Sequence, residues 1–320
     1  FLWNNEFFGP VVEGYTLIGY SIEPAVEYHF TPAIKAKAGV RLTKYSGLDN
    51  FTDCLPVYAV TWHSTNLAVT MGSINGASFH RLPDPVLHRE RQLTANAENG
   101  MQIVYSTNRI FADVWVDWQS FIFHGDNKKE EIFGGASVGC TALQTDNLKV
   151  EIPASLTIYH KGGQIDTDTS NMKLLYNMSA GIRLTVEAHG FVDGISAGSQ
   201  LIGFADNSPT PESLYDNGFG SLSDVRLTHR LSSISIGYWY ANKFLSVQGN
   251  PIFQCQSYNP ADNQKTRSLL TAELNLTKNI TNYFTASLCA IGYYDLKNSV
   301  FDYTYSFMLI LRPDFVLWHK

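Results

Sequence analysis

The chain is written in a two-residue rhythm. From Ile34 to Leu42, Ile34, Ala36, Ala38, Val40 and Leu42 alternate with Lys35, Lys37, Gly39 and Arg41, so one face is wholly apolar and the other polar. The same alternation sets Ile110, Ala112, Val114, Val116 and Trp118 against Asp113, Asp117 and Gln119. It also sets Met178, Ala180, Ile182, Leu184 and Val186 against Ser179, Arg183, Thr185 and Glu187. A side-chain period of two is the period of a β-strand, and segments of about ten residues match the 9 to 11 that a tilted strand needs to cross a bilayer. Counting from Tyr15 to Phe30 and onward gives about fifteen such segments.

The connections between segments alternate in length. Thr31-Pro32-Ala33, Ser64-Thr65-Asn66, Ser106 to Arg109, Thr145-Asp146-Asn147, Arg230 to Ser233 and Lys278 to Thr281 are short and built from turn-forming residues. Residues 46–55, 73–100, 124–130, 160–171, 204–216 and 242–266 are long and polar. Short turns on one rim and long loops on the other predict an all-β fold, a closed antiparallel transmembrane β-barrel of about 14 to 16 strands with short periplasmic turns and long extracellular loops. A soluble β-sandwich shows the same alternation. Strand length, the unbroken apolar faces and the regular loop asymmetry favour the barrel. An odd count of fifteen conflicts with the even number such barrels carry. Either Phe7 to Val12 adds a strand, or the pair around Glu187 to Gly203 is misread. The expected organisation is an N-terminal segment 1–14 at the rim or in the lumen, a barrel over 15–315 and a short tail 316–320.

Composition sharpens this picture. Charged residues are 16%, aromatics 13% and hydrophobics 44%, and the sequence holds no apolar run long enough for a membrane helix. Aromatic residues gather in two bands, Tyr28, Phe30, Trp62 and Tyr105 near the short turns and Phe121, Phe123, Tyr294 and Phe301 near the long loops, as expected for interfacial girdles. Net charge is -6 with Lys and Arg scattered, which excludes a nucleic-acid surface. The chain opens at Phe1 without a leader, as a mature exported form would. The expected location is the bacterial outer membrane of a Gram-negative cell.

Candidate chemistry is sparse. Cys54, Cys140, Cys255 and Cys289 show no metal-ligand spacing, and no metal or cofactor is expected. Cys54 and Cys255 fall in loops on the same side and are the pair open to a disulfide, with four free thiols as the alternative. If the apolar faces look outward, Lys35, Lys37, Arg41, Arg183, Arg226 and Arg312 share the lumen with Asp113, Asp117, Glu151, Glu187, Asp224 and Glu273. Such a balance implies no ion selectivity and leaves two readings, segregated charge ladders in a wet channel or pairs that help to close the barrel. His63 with Ser64 and Asp224 with His229 point to opposite faces, and His160 and Asp166 flank a Gly-rich tip. None of these makes a catalytic site, so the expectation is a protein that is not an enzyme.

Several blocks, Asn4-Asn5-Glu6, Glu13-Gly14-Tyr15-Thr16, Glu98 to Gln102, Asp113 to Trp118, Phe123-His124-Gly125-Asp126 and Lys161 to Asp166, resemble a group of outer-membrane barrels from Bacteroidota. The resemblance implies an outer-membrane barrel and, more finely, the integral subunit that accompanies the barrel assembly machinery (BAM complex) together with surface lipoproteins. Two functions follow as expectations: a structural subunit docking partners through loops 73–100 and 242–266, or a porin-like diffusion channel for small polar solutes. Outer-membrane lipid is the common partner of both.

Overall fold

The computed structural model describes residues 1–95, 97–188 and 190–316. Its strands are β1 (Leu2–Glu6), β2 (Tyr15–Ile22), β3 (Ala25–Thr31), β4 (Ile34–Tyr45), β5 (Asp53–His63), β6 (Leu67–Ser73), β7 (Asn99–Ser106), β8 (Ile110–Ser120) and β9 (Glu130–Gln144). They continue as β10 (Leu148–Gly162), β11 (Lys173–Glu187), β12 (Gly194–Asp206), β13 (Asn217–His229), β14 (Ser232–Asn242), β15 (Thr266–Asn279), β16 (Phe284–Asp295) and β17 (Val300–Leu311). Each pairs antiparallel with its neighbours, and β1 closes the circuit by pairing with both β17 and β2. No described helix is long and apolar enough to cross a membrane; the strands do the crossing.

Seventeen strand segments fill sixteen wall positions, because β2 and β3 share one. Gly19 to Ile22 pair with Tyr45 to Leu42 at one end of β4, and Ala25 to Thr31 pair with Gly39 to Ile34 at the other. Pro24 interrupts them because it has no N–H for the ladder, while its carbonyl still accepts from Val40 N at 3.1 Å. The even number resolves the parity conflict. The missing strand is Leu2–Glu6, not Phe7 to Val12, so part of the segment expected at the rim or in the lumen lies in the wall. The β11–β12 pair is intact from Leu175↔Asp206 to Glu187↔Gly194. Of the expected tail, Val316 is exposed and 317–320 lie outside the described residues.

Alternation translates directly into two faces. Tyr58, Val60, Trp62, Val114, Trp118, Ile182, Leu184, Ile236, Leu309 and their like are exposed on the outside, and the residues between them turn inward. An exposed belt of large apolar side chains all around a closed sheet is what hydrocarbon, not water, stabilises.

The lumen holds a core toward its long-loop end, and this core is supplied by the two longest loops. Residues 74–98 and 243–265 fold inward from positions between β6 and β7 and between β14 and β15, which stand eight places apart on the sixteen-place circuit, on opposite sides. The second loop buries Phe244, Leu245, Ile252, Phe253 and Cys255 against wall residues Ile202, Phe204, Trp239, Leu269 and Tyr293. The first places Val86 in that core and Leu87 against Trp115 and Phe133. These loops therefore place much of their apolar surface in the barrel interior. The two loops meet each other. His88 N donates to Gln248 O at 2.8 Å, Asn250 N to Asp84 O at 2.9 Å and Asn250 Nδ2 to Asp84 Oδ2 at 2.8 Å. At Gly249 an added Cβ would lie 1.9 Å from Pro85 O, so only glycine permits this backbone approach.

Cys54 and Cys255 are both free. Cys54 is in β5, paired with Leu42, whereas Cys255 is buried in the 243–265 loop with its Sγ 3.5 Å from Lys265 O. The structure therefore has the free thiols that the sequence left open as the alternative to a Cys54–Cys255 disulfide.

Candidate functional site

The plug is fixed to the wall by buried charge. His80, itself fully buried, places Nδ1 2.7 Å from Asp113 Oδ2 on β8 and Nε2 2.8 Å from Glu98 Oε2 at the far end of its own loop. Its ring stacks on Trp115, with centroids 3.8 Å apart. Gln102 Nε2 donates to the second Asp113 oxygen at 2.9 Å and Gln102 Oε1 accepts from Asn75 N and Nδ2. Burial alone would drive an imidazole to its neutral form, but the two carboxylates outweigh it and hold the His80 pKa above its ordinary value. A histidine whose two nitrogens both serve carboxylates is a clamp, with no lone pair left for a general base. On the other side of the plug, Arg89 meets Glu273 of β15 through both guanidinium nitrogens at 2.8 and 3.0 Å.

Directly beside the clamp the wall is breached. β6 covers β5 only from Ala59↔Gly72 to His63↔Ala68, so Asp53 to Tyr58 run on without a ladder on that side, apart from Tyr58 N donating to Ser73 Oγ at 3.2 Å. β7 covers β8 only as far as Gly100↔Asp117, leaving Trp118 to Ser120 bare on the same side. Two short strands between two long ones leave a notch at the long-loop end of the wall. Behind it stands α1 (Arg91–Thr94) with the segment that follows.

A cavity of about 380 Å³ occupies this notch. It is lined by outward-facing Pro56, Tyr58 and Trp118 and by inward-facing Leu55, Asp117 and Gln119, with Arg91, Ala95, Ala97 and Asn99 at its back. Side chains of opposite parity on the same strands can share a cavity only where it passes through the sheet. Its outer lip is apolar and its inner end polar. Asp117 accepts from Asn99 N at 2.9 Å and from Gln119 Nε2 at 3.0 Å. Arg91 Nε is buried with no hydrogen-bond partner, and burial lowers its pKa despite the carboxylates of Glu98 and Asp117 nearby.

The structure distributes the predicted lumen charges into local pairs. Lys35 meets Glu27 at 3.0 Å, Lys37 and Arg41 both meet Glu23 at 2.5 and 2.7 Å, Arg183 meets Asp224 at 2.6 Å, and Lys149 meets Glu151 at 2.7 Å. Arg226 has a buried Nε without a partner. Glu187 and Arg312 are exposed at the short-turn rim. Asp113 and Asp117 alone reach the clamp and the cavity. Sequence reasoning singled out both, but missed His80, Glu98 and Arg91, which sit in a segment without periodicity. Asp166, which with His160 flanks the Gly-rich tip, is taken by Lys129 at 2.9 Å.

The model of the lipid A 3'-O-deacylase-type family matches residues 1–320. The chain belongs to that family. Membership of a family named for an enzyme overturns the expectation that this barrel is not one. Among solved structures, a mutant of the Rh. blastica porin is 10% identical with a TM-score of 0.51, covering 97% of this chain and 96% of the porin. A loop-deletion mutant of the Vibrio cholerae outer membrane protein OmpT is 10% identical with a TM-score of 0.50, covering 95% and 96%. At such identity the likeness concerns the fold, and it fixes the fold as that of a bacterial outer-membrane barrel. No curated protein matches the chain. Neither comparison supports the finer reading as a barrel-assembly subunit or an origin in Bacteroidota.

Proposed function

We propose that this deacylase-family barrel hydrolyses an acyl ester of an outer-leaflet lipid, of the lipid A kind for which the family is named, and that the substrate enters sideways through the breach between β5 and β8. The observation that carries this reading is the cavity lined from both faces of the sheet, which joins the lipid-facing surface to the buried carboxylate of Asp117. Lipid cannot reach a polar interior through an intact wall.

The chemistry needs a base for water and a donor for the developing oxyanion. In this reading Asp117 takes a proton from water as the water oxygen adds to the acyl carbonyl carbon, and the Arg91 guanidinium faces the negative oxygen. Collapse breaks the bond to the lipid's alcohol oxygen, which receives the proton from Asp117, leaving a free fatty acid and a hydroxyl on the lipid. The test is mass spectrometry of lipid A incubated with the purified barrel in vesicles. Loss of one acyl chain is expected, with Asp117→Asn slowing release by roughly a hundredfold or more, the usual range for a general base. A folded wild-type barrel that releases no fatty acid overturns the reading.

The porin-like alternative shares the barrel, but the two inward loops stand against an open lumen. A scaffold role in barrel assembly finds no support in the family match.

A further inference from the structure

We infer that residues 121–128 form a rigid interfacial ledge that seats the headgroup boundary of an outer-leaflet lipid beside the breach; this rests on the lipid-hydrolase reading for its purpose, though not for its geometry. The pairing of β8 with β9 shifts register between Trp118 and Ser120. An irregularity of this kind re-aims the side chains that follow it. Trp118 faces outward, and after the shift it is Phe121 and Phe123, 58% and 71% exposed, that stand clear, while Ile122 between them is buried. The two rings pack edge to face with centroids 5.2 Å apart.

This is a built surface, not a loose loop. Phe123 N donates to Asp126 Oδ2 at 2.9 Å, Gly125 N to Ile165 O at 2.7 Å, and Thr167 N to Asp126 O at 2.7 Å. At its base Lys129, nearly buried, binds Asp166 Oδ1 and Asp168 O at 2.9 and 2.8 Å. Gly125 takes a φ of +87°, which glycine adopts without strain. Ordering a segment this firmly to display two phenylalanine rings to water is unfavourable, so the rings call for an apolar cover. The occupant follows from continuity. The ledge extends the exposed column of Val114 and Trp118 on β8 by one further step, and that column already faces hydrocarbon. Aromatic side chains at that level are the ones that settle at the membrane interface. Because Trp118 is also the lip of the cavity, a lipid resting on Phe121 and Phe123 has its ester region next to the opening.

Photo-cross-linking tests this without requiring turnover. With Phe123 replaced by benzoylphenylalanine and the barrel in vesicles containing lipid A, irradiation is expected to give lipid adducts, and the same probe at Asn127 on the polar tip few or none. Equal labelling at both positions, or no lipid adduct at 123, overturns the ledge. In parallel, Phe121→Ser with Phe123→Ser is expected to raise KM for vesicle-borne lipid roughly tenfold, a fraction of the transfer free energy of two rings, with kcat unchanged. A lipid adduct at 123 from a barrel that never releases fatty acid keeps the ledge and removes the hydrolase reading. A fall in kcat with KM unchanged overturns the seating role.

Discussion

His80 shows how much one side chain can fix. It ties both ends of the 74–98 loop together and ties the loop to the wall, with Asp113, Glu98 and the ring of Trp115 around it. Removing it by His80→Gln leaves two buried carboxylates without their cation, an expected loss of about 3–5 kcal/mol, readable in urea unfolding from vesicles. The pH dependence has a definite sign. A histidine whose folded-state pKa is raised adds stability that is complete below its unfolded value of about 6.5 and fades as pH rises through the raised value. The wild type is therefore expected to lose stability between neutral and alkaline pH, and His80→Gln to lose much less over the same range; parallel curves would remove the clamp. The thiols offer a second check. Cys54 is exposed and Cys255 buried, with its pKa pushed up by burial, so maleimide is expected to modify Cys54 rapidly in the folded barrel and Cys255 only after unfolding. A single slow phase for both contradicts this placement.

At the scale of elements, the strands were legible because each satisfies two solvents at once, and that leaves a strict period of two in the sequence. β1 escaped because it breaks the pattern. Asn4, opposite Tyr305, stands where the others carry an apolar residue, and it is satisfied by Glu6 and Thr16, while inward Asn5 binds Glu90 and Thr304. The plug was illegible for a related reason: residues 74–98 and 243–265 have no periodicity, and long polar-looking loops read as solvent-exposed until their scattered Val86, Phe244, Ile252 and Phe253 are seen together. The breach depends on where β6 and β7 stop relative to β5 and β8, a difference of a few rungs that no local signal marks. Asp117 could be marked as inward-facing from alternation, but not as the residue beside an opening. One experiment separates a latched plug from a loose one. Asn250→Ala removes the side-chain bond to Asp84 and leaves a buried acceptor short of a donor, a cost of about 1–3 kcal/mol. Combined with Arg89→Ala, it is expected to turn a barrel that is closed in planar-bilayer recording into one with frequent openings. Unchanged silence would show that packing alone holds the plug.

For the whole molecule, the barrel is a wall around a core, more like a globular protein turned inside out at its surface than a pipe. Its charges illustrate this. The inward cations and anions that look balanced on paper are for the most part paired with near neighbours or with the plug. The breach joins interior and membrane through a cavity, which makes it the place to look for chemistry.

The meeting of the two loops also sets an order of events in assembly. Asp84 and Asn250 are separated by 166 residues, and Val86 and Ser246 by 160, and the strands that carry them stand across the barrel from each other. Contacts of such sequence separation form only after the chain between them is in place. The interior therefore seals last, once the wall has closed, and a barrel with a misplaced strand would leave its two plug halves unmatched. A protease that cuts the unplugged loops would distinguish finished molecules from unfinished ones during folding.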